Sequence, residues 1–277
     1  MTPHEYCQQR AAQSGSSFYY SFLFLPPERR RAITALYAFC REVDDVVDEC
    51  ADPAVARLTL GWWRTEVARI YDGGPSHPVA LALAEVRARH DVPQARLQEI
   101  IDGMEMDLDH NRYPDFAALR LYCHRVASVV GLLSAEIFGY ENARTLEYAA
   151  DLGLAFQLTN IIRDVGEDAR RNRIYLPLDE LARHGVSAND ITSARESEPF
   201  RRLIEFQIDR ALDFYARAFA ALPPADRRTQ RAGLIMAAIY RTLLDEIRAD
   251  GCRVLTRRTS LTPLRKLWIA WKTWLRN

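Results

Sequence analysis

Two acidic clusters, Asp44-Asp45-Val46-Val47-Asp48 and Asp164-Val165-Gly166-Glu167-Asp168, each set carboxylates at i and i+4 inside helix-patterned segments far apart in the chain. Residues three or four apart share one face of a helix, so Asp44 and Asp48 point the same way, as do Asp164 and Asp168. Such a face repels itself unless cations sit on it. Magnesium suits it, because the ion favours oxygen ligands and typically takes one or two carboxylates while substrate phosphates supply the rest. Two facing walls of this kind would hold a diphosphate between them through several Mg2+ ions.

Each cluster ends a longer polar stripe. Tyr37, Arg41, Asp44 and Asp48 step by four, three and four, with Asp45 slightly to the side. Gln157, Asn160, Asp164 and Asp168 step by three, four and four. A solvated charged face is the common meaning of an acidic run, but here the flanks are apolar: Leu36, Phe39, Cys40, Val43, Val46 and Val47 around the first, Leu154, Phe156, Leu158, Ile161 and Ile162 around the second. Carboxylates on a largely buried helix need compensating cations.

The elements that position these stripes are helices. Apolar residues recur at three and four throughout, and strand alternation is nearly absent. Pro26-Pro27-Glu28 opens a helix running to about Glu49, since proline is favoured in a first turn. Further helices are predicted at about 53–71, 79–90, 94–110, 115–138 and 141–166, divided by turn signals such as Asp72-Gly73-Gly74-Pro75 and Tyr113-Pro114-Asp115. A looser stretch covers 168–199, and two long helices follow at 200–221 and 225–250. Without repeats or a linker, residues 1–277 form one all-α domain, a bundle whose ligand site lies between facing helices.

Composition narrows the function classes. The 277 residues, 48% of them hydrophobic, suffice for a sizeable core, and 37 basic residues balance 37 acidic ones. No overall field therefore favours nucleic acid, and a charged ligand must be met by local clusters. Five scattered cysteines without a CxxC pair fit reduced thiols, and the N-terminus has no signal-peptide pattern. No uninterrupted apolar run reaches a membrane span. A cytoplasmic protein is expected. The six histidines form neither HxxxH nor HExxH.

Beyond the acidic pairs, the chain resembles the head-to-head prenyl transferases, the squalene/phytoene synthase family. The motifs are Ser16-Ser17-Phe18-Tyr19-Tyr20 with Leu25-Pro26, and the run from Ala35 through Arg41 to Glu49. They continue with Tyr122-Cys123-His124-Arg125-Val126-Ala127 and Val130-Gly131, and with Gln157 to Asp168 followed by Arg173-Ile174-Tyr175-Leu176-Pro177. The resemblance covers nearly the whole chain and is strongest to bacterial presqualene diphosphate synthases of squalene and hopanoid pathways.

The resemblance implies an isoprenoid-synthase-type bundle whose central cavity accepts two farnesyl diphosphates. Asp44, Asp45, Asp48, Asn160, Asp164 and Asp168 would bind magnesium, with Gln157 completing that wall. Ser17, Phe18, Tyr37, Arg41, Tyr240 and Arg257 match positions lining the substrate or diphosphate pocket, and Arg163, Arg171 and Arg173 lie where further phosphate contacts are expected. Tyr122 matches a tyrosine given a catalytic role. The reaction would break an allylic carbon–oxygen bond, join two farnesyl groups and close a cyclopropane with loss of a proton, taken by Tyr122 or by the released diphosphate. Ser128 stands where many relatives carry Gly, which is expected to add a small side chain near the cavity.

Phytoene and dehydrosqualene synthases share these motifs, and a squalene synthase differs in consuming NADPH. The lack of a GxGxxG fingerprint favours a reaction that stops at the cyclopropane and feeds a downstream squalene-forming enzyme. An inactive scaffold of the same fold is expected to have lost aspartates that remain here. Residues 263–277 mix tryptophans and basic residues, which fits either a membrane interface at the inner face or a terminal helix packing its tryptophans on the bundle.

Overall fold

A computed structural model describes residues 1–13, 18–50 and 52–276, and among these every long element is a helix. In chain order they are α1 (Pro3–Gln13), α2 (Phe18–Phe22), α3 (Pro27–Glu49), α4 (Pro53–Asp72), α5 (Pro78–Arg87), α6 (Gln94–Asp109) and α7 (Phe116–Cys123). After a π-helical turn over His124–Ser128 come α8 (Val129–Phe138), α9 (Arg144–Arg170), α10 (Leu178–Arg183), α11 (Ala188–Thr192), α12 (Glu198–Ala221), α13 (Arg231–Ala249) and α14 (Pro263–Arg276). Starts follow local chemistry. Pro27 stands in the first turn of α3, Asp52 accepts from the Ala54 amide at 2.8 Å before α4, and Ser197 accepts from the Phe200 amide at 3.2 Å before α12.

Two apolar layers flank the carboxylate helices. One gathers α9, α12 and α13 around Leu158, Ile162, Ile204, Ile208 and Leu244; the other gathers α3 to α6 and α8 around Phe39, Val43, Leu83 and Ile100. The π turn and α8 both meet α9 backbone to backbone. A Cβ at Gly153 would lie 2.4 Å from the Ala127 carbonyl oxygen, and one at Gly131 would lie 2.3 Å from that of Ala149. Only glycine permits both approaches.

The helix expected over 115–138 runs without interruption from Phe116 to Phe138, and what the sequence did not announce is the π turn that joins its α7 and α8 portions. A π turn inserts an extra residue into the helical ladder, which apolar periodicity does not report. Although Phe116–Phe138 has the length and composition to cross a membrane, Leu119, Val129, Leu133 and Ile137 are buried in the bundle. Ser128 stands near the cavity as expected, beside Ala127 and Gly153, which line it. It is buried, and its hydroxyl donates to the Ala150 carbonyl at 2.8 Å, so it ties the π turn to α9. The looser stretch over 168–199 holds α10 and α11, too short to show a period, and the polar N-terminal segment forms α1.

Candidate active site

Helices α3 and α9 present their polar stripes to one cleft of about 550 Å³. Tyr37, Arg41, Asp44 and Asp48 line it from α3, and Gln157, Asn160, Asp164 and Asp168 from α9. Phe18, Tyr122, Arg163, Arg171, Arg173 and Tyr240 line it as well. Beneath lies an apolar chamber of about 170 Å³ whose wall includes Leu36, Val130, Phe138, Tyr148, Leu152 and Met236. Phe18, Tyr37, Cys40, Gln157 and Asn160 border both spaces, so the cleft opens onto the chamber. The Phe18 ring lies 5.7 Å from Tyr37 and 6.2 Å from Phe156, making an aromatic throat.

The walls are electrically paired. Arg41 donates to Asp44 at 2.8 Å, Arg171 and Arg173 donate to Asp48 at 2.8 and 2.7 Å, and Arg163 donates through Nε to Asp164 at 2.7 Å. Arg171 and Arg173 come from a tight turn at the end of α9, where both amides donate to the Asp168 carbonyl. Asn172 occupies the left-handed region at φ 57°, which asparagine tolerates better than most side chains.

Burial acts against the remaining negative charge. Desolvation, together with Asp48 nearby, pushes Asp44 up to about 7, and desolvation with Asp164 nearby pushes Asp168 up to about 7. Asp164 moves the other way: burial alone would raise it, but Arg163 and Arg258 hold it below the ordinary carboxylate value.

The donor set fits a hard cation. Asp44, Asp48, Asp164 and Asp168 offer oxygens only, and the buried Oδ1 of Asn160 has no hydrogen-bond partner. Among the described residues no three His, Cys, Asp or Glu side chains converge as a ready-made cage.

Two expected residues, Asp45 and Arg257, fall elsewhere. Asp45 points away from the cleft to Arg10 at 2.6 Å and also pairs with Arg41, because it stands about 100° around α3 from Asp44. Arg257 is exposed and donates to Asp250 at 3.2 Å, whereas its neighbour Arg258 lines the cleft and reaches Asp164 at 2.9 Å and Glu167 at 3.1 Å. Ser17 lies outside the described residues.

Asp107, on α6, was not expected and is central. Tyr122 donates to its Oδ2 at 2.9 Å and Tyr175 to its Oδ1 at 2.7 Å. Desolvation pushes Asp107 up to about 6, while these hydrogen bonds and Arg173 oppose the rise. The Tyr122 and Tyr175 rings stack at 5.2 Å, with Tyr113 5.5 Å from Tyr122. A signal existed: Asp107 follows Leu97, Ile100 and Met104 at steps of three and four, a carboxylate on the apolar face of its helix.

Residues 11–265 match the family model described as squalene/phytoene synthase. The phytoene synthase of Arthrospira platensis is 38% identical, with 95% of this chain and 90% of that protein covered. The 15-cis-phytoene synthase of Synechocystis sp. is 34% identical, with 99% and 85% covered. A dehydrosqualene synthase solved in complex with ligand superposes with a TM-score of 0.86 at 27% identity, covering 98% of this chain and 95% of that one. The squalene synthase HpnC of Alicyclobacillus acidocaldarius superposes with a TM-score of 0.80 at 27% identity, covering 90% and 94%. With its helical fold, paired acidic walls and apolar chamber, the chain belongs to the squalene/phytoene synthase family.

Proposed function

We propose that the protein joins two allylic prenyl diphosphates head to head, releasing one diphosphate and forming a cyclopropylcarbinyl diphosphate, which is presqualene diphosphate when the substrate is farnesyl diphosphate. The observation that carries this reading is a single cleft with two acidic walls opening onto an apolar chamber. Asp44, Asp48, Asp164, Asp168 and Asn160 would hold magnesium, which when bound supplies positive charge as a diphosphate leaves. Arg41, Arg163, Arg171, Arg173 and Arg258 would donate to diphosphate oxygens, a role that suits planar, permanently charged guanidinium groups.

When the allylic carbon–oxygen bond breaks, the bonding pair goes to the departing diphosphate and an allylic cation remains. The rings of Phe18, Tyr37 and Phe156 exclude water, and their faces favour the positive charge. The double bond of the second prenyl group then attacks carbon 1 of the first, and a proton leaves as the ring closes. Two bases are at hand: the released diphosphate, and Asp107 reached through the Tyr122 hydroxyl.

A second reading takes geranylgeranyl diphosphate as substrate, which would make the protein a phytoene synthase. It is favoured by the names of the relatives at 34–38% identity. The test is incubation with magnesium and either farnesyl or geranylgeranyl diphosphate, with and without NADPH, and mass spectrometry of products. Presqualene diphosphate unaffected by NADPH supports the first reading. Squalene formed only with NADPH, or turnover of geranylgeranyl diphosphate alone, overturns it.

A further inference from the structure

Helix α14 has two apolar faces and only one is used by the bundle. Ala270 is buried, and Trp274 stacks on Phe24 at 5.8 Å with the Arg231 guanidinium 5.5 Å above its ring. On the other side the adjacent pair Leu267 and Trp268 stands three and four residues after Leu264 and four and three before Trp271, with Leu275 four further on, a single stripe along the helix. All five are exposed, Trp268 at 58% and Trp271 at 46%, and these two rings lie 5.2 Å apart. Lys272 and Arg276 stand exposed along one border of the stripe.

We infer that α14 docks the protein on an anionic lipid surface. A bilayer interface matches both halves of the pattern. Leucine and tryptophan enter the boundary between headgroups and acyl chains, where the amphipathic indole is at home, while the bordering cations meet lipid phosphates. The inner face fixes the helix to the bundle, so the outer stripe is presented in a rigid orientation rather than on a loose tail. Lys266, in the first turn of α14, also lines the cleft, as do Thr259, Ser260 and Leu261 just before it. Docking therefore sets the cleft mouth beside the membrane, where prenyl chains dissolve.

Flotation of the full chain with vesicles tests this. Binding is expected to vesicles of phosphatidylcholine mixed with phosphatidylglycerol, to weaken with salt, and to be absent with phosphatidylcholine alone. Lys272→Glu/Arg276→Glu should weaken partitioning at least roughly thirtyfold, as expected for the loss of two basic contacts. Trp268→Ser/Trp271→Ser should abolish binding while retaining the helical circular dichroism of the parent. Absence of vesicle binding by the parent protein, or undiminished binding by the tryptophan variant, overturns the inference. A dimer in sedimentation equilibrium that the tryptophan variant dissolves, without vesicle binding by the parent, would assign the stripe to a second copy of this chain instead.

Discussion

Replacing Asp168 by asparagine should make the metal-free protein more stable at pH 8 while removing part of its cation site. Asp168 is pushed up to about 7 from 3.8, first by desolvation and then by Asp164. A carboxylate whose folded pKa lies above its unfolded value favours folding at low pH, and that benefit is lost as pH rises between about 4 and 7. The difference corresponds to at most about 4 kcal/mol at 1.36 kcal/mol per pH unit. Water in an open cleft reduces it to about 1–2 kcal/mol. The substituted carboxamide cannot ionise, so the variant should melt about 2–8 °C above the parent at pH 8, given roughly 2–4 °C per kcal/mol for a chain of this size. Below about pH 3 the two should coincide, because the parent carboxyl is then protonated in the folded and unfolded states alike. Circular dichroism at both pH values without metal, and again with magnesium and inorganic diphosphate, is the assay. The added ligands should raise the parent's melting temperature more than the variant's at pH 8. A variant that melts at or below the parent temperature at pH 8 refutes the account of the cleft as a strained, cation-seeking site.

Three further outcomes follow from particular contacts. Arg258→Ala should raise KM for the prenyl diphosphate about tenfold or more, the loss expected for a charge-assisted hydrogen bond, whereas Arg257→Ala should stay within about twofold; equal effects in steady-state kinetics would contradict the assignment. Gly153→Ala places a methyl group 2.4 Å from the Ala127 oxygen and 2.8 Å from the Ser128 Cα, so urea unfolding should show a loss of about 1–3 kcal/mol, and an unchanged midpoint would disprove the backbone contact. Glu180 accepts from Gln207 at 2.7 Å and from Arg210 at 2.9 Å; Glu180→Ala strands that half-buried arginine and should cost about 3 kcal/mol in the same assay, against little change if the pair is dispensable.

The sequence made the two wall helices legible because their signals are periodic. Tyr37 to Asp48 and Gln157 to Asp168 need only helical geometry to fall on shared faces, and they do. What escaped has no period or depends on an inserted residue. The π turn between α7 and α8 leaves no mark in the apolar pattern. Between Gly251 and Pro263 the chain is not helical, so nothing in the spacing distinguishes Arg257 from Arg258 as the one that turns inward. Asp107 was visible as a carboxylate on an apolar stripe, but its partners Tyr122 and Tyr175 come from distant segments, and their convergence is a tertiary fact. The same holds for the tail: composition identified tryptophans and cations, while only packing shows that Trp274 is spent on the bundle and that Trp268 and Trp271 are not.

The segment carrying Arg258 is seated directly on the helix that carries Asp164. A Cβ at Gly166 would lie 2.2 Å from the Leu255 carbonyl oxygen, and the Gly166 amide donates to the Val254 carbonyl at 3.2 Å. Gly166 thus acts as a ratchet tooth, setting the reading frame of the following loop against α9. Inserting or deleting one residue between Leu255 and Arg258 would exchange the inward arginine for a neighbour without disturbing any helix. In this protein, electrostatic identity at the second wall is encoded by the length of a loop as much as by the residues in it.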